Sequence, residues 1–298
     1  MSVTLRPASS PAERLLSVGI FNEVWPHRAV TPDDVDAWAR ASIETIDVLG
    51  AVDGADGGSG AGSLNYGQPD VATLIITVLP QHRRRGIGGA LFDELVSWAT
   101  ERGAHELEAP ADADDEESIA FAFRRGFSEY ARELGLALEL EGVDLPRLAP
   151  PDGVEIALLA ERPELAEGVY EVGAEAVPDI PGHEGWTAPP FDDFAAAHLR
   201  GEIFVAVADG VVVAYAKLRP RPDGRTGDHA MTAVKRAWRG RGIATALKRA
   251  QIAWAKEHGF QRLTTTNEVR NAPMRRINEA FGYRPAPGRV WLRRRLTD

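Results

Sequence analysis

Hydrophobic and polar positions along this chain change period in one order and then do so again. An opening alternation ("VTLRPA" in the first half, "VEIALL" in the second) reads as a strand and leads into a helical region. A hairpin follows. In the second half it is "FVAVADGVVVAYAKL", where Asp209-Gly210 forms the two-residue turn that needs positive φ at both positions. A further strand enters a glycine-rich turn. After that turn, "IGGALFDELVSWATERG" and "IATALKRAQIAWAKEHG" carry apolar residues at helical spacing and stop at a glycine, as amphipathic helices do. A short strand ("HELEAP", "RLTTTN"), another helix and a last strand ("LGLALEL", "VWLRRRL") complete each pass.

The two passes share a register. Moved back by 156 positions, Arg239, Gly242, Gly259 and Gly282 fall on Arg83, Gly86, Gly103 and Gly126, and Trp254-Ala255 falls on Trp98-Ala99. The chain therefore reads as two copies of one domain, at a period far too long for a solenoid. Three prolines and two glycines in "EGVDLPRLAPPDG" interrupt both periods and put the boundary near Pro150, giving domains 1–150 and 151–298. The expected fold class is α/β in the mixed α+β sense, each half a twisted mixed sheet flanked by helices.

Composition narrows the chemistry. With 298 residues and 44% hydrophobic content the chain suits two globular domains. It has no apolar run near the roughly 18 residues of a membrane span and no basic-then-apolar leader, so a cytoplasmic location is expected. The absence of cysteine excludes disulfides and thiolate catalysis, and no metal site is expected. A net charge of −10 opposes binding to nucleic acid, so the arginine clusters matter only toward a small local anion. Richness in arginine, alanine and glycine fits a GC-rich bacterial genome.

The repeated turn is where such an anion would bind. A strand that ends in Arg-x-x-Gly-x-Gly/Ala and opens a helix exposes unpaired N–H groups at the positive end of the helix dipole. Glycine or alanine at the third and fifth places after the arginine lets a phosphate approach those donors. The Walker pattern is absent, and Gly240-Arg-Gly242 is followed by Ile-Ala-Thr, which breaks the dinucleotide pattern.

The stretch "TAVKRAWRGRGIATALKRAQIAWAKEHGF" with "TTTNEVRNAPMRRINEAFGY" resembles the acetyl-coenzyme A binding core of the GNAT superfamily of N-acetyltransferases. "TVLPQHRRRGIGGALFDELVSWATERGA" and "AFRRGF" resemble the same core in the first half. The resemblance implies a tandem acetyltransferase, a layout that mycothiol synthase also has. It implies that Arg239, Arg241, Gly242, Ile243 and Ala244 hold the pyrophosphate of acetyl-CoA and that Ala233, Val234 and Lys235 pair with its pantetheine amides, where two parallel strands splay. Asn271, whose "NAPM" context also makes it a helix N-cap, would sit beside the pantetheine arm. The matching first-copy residues are Val78, Arg83, Arg85, Gly86, Ile87 and Gly88. The second half is expected to be catalytic and the first a degenerate or cofactor-occupied copy.

The resemblance places a carboxylate base eleven residues before the turn's arginine, which is Asp228, with His229 beside it on the opposite strand face. The first copy has Ala72 there. The family's leaving-group tyrosine is replaced by Asn278 in the second copy and Ala122 in the first. The implied reaction is direct attack of a small-molecule primary amine on acetyl-CoA in a ternary complex. The acidic segment holding Glu171, Glu175, Asp179 and Glu184 suits a cationic acceptor. A cysteinyl α-amine as acceptor, as in mycothiol synthase, and a non-catalytic acyl-CoA binding module are the alternatives. Neither nucleic acid nor membrane is an expected partner, and a monomer or homodimer is expected.

Overall fold

A computed structural model describes residues 2–52, 58–68, 70–145, 149–180 and 186–296. The low-complexity stretch "GADGGSGAG" falls partly outside them, as does Glu184. Two compact units emerge: Met1–Tyr130 with Val290–Asp298, and Ala131–Arg289.

In unit 1, β1 (Val3–Pro7), α1 (Pro11–Val24) and α2 (Pro32–Ala41) come first, followed by the meander β2 (Glu44–Val52), β3 (Gly60–Gln68) and β4 (Val71–Val78). Then come α3 (Ile87–Glu101), β5 (Glu106–Asp112), α4 (Glu116–Phe123) and the start of β6 (Ser128–Glu139). The sheet order is β1-β2-β3-β4-β5, closed by the end of the chain's last strand. Pairing is antiparallel from β1 to β4 and parallel between β4 and β5. Ser10 and Thr31 cap α1 and α2 through reciprocal bonds with Glu13 and Asp34, each followed by a proline whose missing N–H costs nothing there. On the α3 side, Ile87, Leu91, Leu95 and Ala99 pack against Val48, Leu64, Leu74 and Leu107 to form the core.

Unit 2 repeats the plan. β7 (Val154–Leu158), α5 (Ala166–Ala176), α6 (Phe191–His198), β8 (Glu202–Ala208), β9 (Val211–Pro220) and β10 (Thr226–Val234) precede α7 (Ile243–Glu257). Then follow β11 (Arg262–Glu268), α8 (Ala272–Ala280) and β12 (Arg284–Arg295). Its strands run β7-β8-β9-β10-β11, with β10 and β11 parallel and β6 antiparallel to β11. The Asp209-Gly210 turn has positive φ at both residues, 50° and 77°, as the hairpin reading required. Gly103 and Gly259 end α3 and α7 in the left-handed conformation.

The units do not coincide with the two sequence copies, because their dividing points fall inside β6 and β12. Ala131–Glu139, the first copy's last strand, pairs with β11 in unit 2, while Val290–Arg295 lies beside β5 in unit 1. Each copy therefore gives up the strand it was expected to keep. Within unit 2, Gly135 permits the close approach of β6 and β12: a Cβ there would lie 1.9 Å from the carbonyl oxygen of Pro287.

Candidate active site

Both copies build the glycine turn in the same way. Arg83 donates from Nε to the carbonyl of Val78 at 3.3 Å, and Arg239 does so to Val234 at 3.0 Å. The signature arginine thus ties the turn back onto the strand it leaves. Gly86 and Gly242 sit at the helix N-caps with φ of 88° and 82°, a conformation open to glycine at little cost. Two residues earlier, Gly240 has φ 75°, and its counterpart Arg84 is held at φ 61°. A non-glycine residue in that region stores strain, and such strain concentrates at functional turns. Left-handed residues in quick succession curl the backbone into an anion-binding concavity.

The first intrahelical bonds are Ala90 N–H to Gly86 at 3.0 Å and Ala246 N–H to Gly242 at 3.0 Å. The N–H groups of Ile87, Gly88 and Gly89, and of Ile243, Ala244 and Thr245, precede them and have no carbonyl one turn behind. In both copies the parallel strands part beside these donors. β4 and β5 pair only from Val71↔Glu106 to Thr73↔Glu108, although β4 runs on to Val78. Likewise β10 and β11 pair from Thr226↔Arg262 to His229↔Thr265, although β10 continues to Val234.

The copies differ in what faces the turn. In unit 1 a cleft of about 620 Å³ opens there, lined by Val78, Arg83, Gly86, Ile87 and Gly88 together with Ile76 of β4, Ala109 to Ala111 of β5 and Trp25 at the end of α1. Arg85 is exposed and does not line it. Arg84, Arg124 and Arg125 add positive charge. The Arg125 guanidinium stacks 3.6 Å from the centroid of Phe121, and this burial pulls its pKa below the usual arginine value. Glu117 pairs loosely with Arg84 and Arg83, at 3.5 and 3.7 Å.

In unit 2 the chain's own carboxylates meet the turn. Asp179 pairs with Arg236 at 2.8 Å and Arg239 at 2.6 Å, and Glu175 accepts the backbone N–H of Arg236 at 2.5 Å. These hydrogen bonds, Arg236's before Arg239's, pull the Asp179 carboxyl down to about 2. Lys235 pairs with Glu171 at 3.1 Å. Of the acidic segment expected to meet a cationic acceptor, Glu171, Glu175 and Asp179 are engaged instead by these basic partners. Ala233 is buried in the core, Val234 and Ala244 are half-buried, and the Ile243 side chain is buried against α7's neighbours. Arg241 lies 4.6 Å from the Trp238 ring centroid. Asn271 caps α8 by accepting from Met274 N–H at 3.3 Å.

The expected acid–base pair is drawn to separate surroundings. Asp228 is held by Arg219 at 3.1 Å, Arg221 at 3.3 Å and the Thr264 hydroxyl at 3.0 Å. Its carboxylate oxygens are thus already engaged by two guanidinium groups and a hydroxyl. His229 is buried on the α7 side, with Nδ1 2.9 Å from Gln251 Oε1 and Nε2 2.5 Å from the Tyr283 hydroxyl. Burial first, then the nearby Lys248 charge, holds its pKa well below the usual histidine value. Both ring nitrogens are committed to the core, which makes His229 a packing residue in this arrangement. Asn278, at the tyrosine position, is buried and donates to Asn267 at 2.6 Å. Trp25 and Phe121 carry no local motif, and the sequence pattern did not single them out; Arg125 lies within "AFRRGF" but was given no role there.

Strands that part beside a glycine turn and its helix define the class: an acyltransferase fold. The acetyltransferase (GNAT) family model matches residues 19–127 and again 169–283, together more than half of the chain. The protein belongs to that family and is an N-acetyltransferase. The mycothiol acetyltransferase of Catenulispora acidiphila is 26% identical over 219 residues, covering 71% of this chain and 68% of that protein. That of Geodermatophilus obscurus is 31% identical over 134 residues, covering 45% of this chain and 40% of its relative. Among solved structures, a tandem GNAT protein from the clavulanic acid biosynthesis pathway matches over the full length of both chains with a TM-score of 0.78 and 21% identity. A GCN5-related N-acetyltransferase from Sphaerobacter thermophilus matches 98% of this chain and 95% of its own, with a TM-score of 0.72 and 18% identity. These structural likenesses carry the tandem fold. Among the described residues no helix is long and apolar enough to cross a membrane, and no cluster of metal-ligating side chains occurs.

Proposed function

We propose that this N-acetyltransferase uses acetyl-CoA, held in the unit 1 cleft, to acetylate a primary amine of a small molecule by direct attack in a ternary complex. One observation carries the reading: the gap between β4 and β5, the uncommitted N–H groups of Ile87 to Gly89 and the basic side chains of Arg83, Arg84 and Arg125 all meet at one cleft. A polyanionic, amide-bearing thioester suits that donor set. The unpaired edge of Ile76 to Val78 can pair with amides, and the helix start can hold phosphates. The unit 2 turn has equivalent backbone, but Arg236 and Arg239 there are engaged by Asp179, which favours unit 1 as the working copy. When bound, the cofactor supplies an acetyl group activated as a thioester. The chain's residues orient it, and a strand-end N–H is the donor available to a developing oxyanion.

The acceptor sets how much deprotonation the site must support. A side-chain amine with a pKa of about 10.4 costs roughly 4–5 kcal/mol to deprotonate at pH 7, whereas an α-amine near 7.8 costs about 1. With Ala122 and Asn278 at the tyrosine positions, an α-amine is the acceptor that makes the smaller demand. The two mycothiol acetyltransferase relatives favour a cysteinyl α-amine as the particular case. Thiol release from acetyl-CoA, measured with α-amines, sugar amines, polyamines and the cysteinyl-glucosaminyl-inositol substrate, tests this. Turnover with α-amines supports the reading, and turnover confined to side-chain amines overturns the acceptor assignment.

A further inference from the structure

We propose that His27, beside the residues that line the unit 1 cleft, is a catalytic proton acceptor and that Asp112 positions it; this rests on the assignment of the cofactor to that cleft. The pair joins two distant segments. Trp25 lines the cleft where α1 ends, and the chain then makes a short turn at Pro26–Arg28. On β5, Ala109, Pro110 and Ala111 line the same cleft beyond the last pair with β4, and Asp112 is the next residue. Leu107 and Ala111 pack into the α3-side core, so alternation along the strand turns Asp112 to the opposite face of the sheet. There its carboxylate meets His27 Nε2 at 3.1 Å and Arg28 Nε at 3.0 Å.

The bonding fixes the tautomer. Burial raises the Asp112 carboxyl pKa, but the hydrogen bonds and charges of His27 and Arg28 outweigh it and hold the group below the usual carboxylate range. An ionised carboxylate only accepts, so His27 donates from Nε2–H and the lone pair of the neutral ring sits on Nδ1. No bond to Nδ1 occurs among the described residues, and the His27 side chain is 43% exposed while Asp112 is 11% exposed. Arg28, at 15% exposure, already neutralises the carboxylate. A purely structural ion pair would be complete without the imidazole.

Two acidic side chains on the cleft are committed. Asp115 caps α4, accepting from Ser118 N–H at 3.0 Å and the Ser118 hydroxyl at 2.6 Å. Glu117 pairs with Arg83 and Arg84. His82 also lines the cleft beside Arg83, but its Nδ1 is buried without a hydrogen-bond partner among the described residues, so an acceptor amine does not reach that nitrogen. Ala72, where the second copy has Asp228, has no acid–base chemistry. The His27–Asp112 pair thus supplies a function that neither the β4 position nor the missing tyrosine can.

In the proposed step the acceptor ammonium gives one proton to His27 Nδ1, and the freed nitrogen lone pair attacks the thioester carbonyl carbon. A C–N bond forms and the C–S bond breaks. Sulfur leaves with the bonding pair and takes the second proton from the amine nitrogen, while the proton on His27 passes to water.

The test compares full-length wild type, His27→Gln, His27→Ala and Asp112→Asn, using titration with acetyl-CoA alone and thiol release with the amine panel. For His27→Gln the proposal predicts an acetyl-CoA Kd within about twofold of wild type and a kcat at least tenfold lower with KM little changed. Imidazole should restore part of the His27→Ala rate, which a merely structural role would not allow. Asp112→Asn should lower kcat less than His27→Gln does. Unchanged kcat in His27→Gln, or a loss in His27→Ala that imidazole does not restore, overturns the proposal. If wild type binds acetyl-CoA but releases no thiol above the buffer rate with any amine, the dyad fails while cofactor binding is retained. If acetyl-CoA does not bind, both fail.

Discussion

Gly88 tests the turn most sharply, because one position can be changed in two ways with opposite outcomes. A Cβ there would lie 3.4 and 3.5 Å from the Phe121 ring and 3.7 Å from Val78 Cγ2, which is ordinary contact. Gly88→Ala should therefore fold without rearrangement, and alanine gains up to about 1 kcal/mol over glycine in a helix. The second copy carries Ala244 at the same place. Gly88→Glu is different: with Phe121 and Val78 against the Cβ, the longer side chain must extend along the cleft and bring a carboxylate toward the donors of Ile87 to Gly89. Hydrogen bonds to a charged group contribute about 1.5–3 kcal/mol each. Losing two weakens acetyl-CoA binding by roughly 10²- to 10⁴-fold, before any charge repulsion. Isothermal titration should find Gly88→Ala within about threefold of wild type and Gly88→Glu without measurable binding to unit 1, with melting temperatures confirming that both fold. An unchanged Kd in Gly88→Glu would refute the assignment of phosphates to this turn.

Two further outcomes follow from the second unit. Asp179→Asn should release Arg236 and Arg239, so titration should show acetyl-CoA stoichiometry rising from one toward two per chain; unchanged stoichiometry would mean that the carboxylate does not hold that turn closed. Burial, opposed by the charge of Asp228, lowers the pKa of Lys248 from 10.5 to about 7. Between those values the unfolded chain binds the proton that the folded chain has lost, so this group makes stability rise with pH from 7 toward 10. Thermal melts from pH 7 to 9.5 should show a smaller rise in Lys248→Met than in wild type, and equal slopes would contradict the assignment.

What could be read from the sequence and what could not follow a physical line. The hairpin at Asp209-Gly210, the left-handed Gly86 and Gly242, and the helices ending before Gly103 and Gly259 were legible because backbone conformation is demanded locally, by residues adjacent in sequence. The strand exchange was not, since "LGLALEL" alternates in the same way whichever β5-like neighbour it pairs with. The contrast between the two turns depends on Asp179 reaching Arg239, and the proposed dyad on Asp112 reaching His27. Such pairings leave no trace in spacing. Asp228 and His229 show the converse limit: their place relative to the turn was legible, but their engagement by Arg219, Arg221, Gln251 and Tyr283 was set by tertiary contacts.

Backbone hydrogen–deuterium exchange with and without saturating acetyl-CoA tests the central assignment most directly, because the proposed phosphate donors are themselves exchanging amides. Protection of peptides covering Arg83 to Ala90, exceeding that of Arg239 to Ala246, is the predicted result. Protection confined to Arg239 to Ala246 would contradict it and move the cofactor to the second unit.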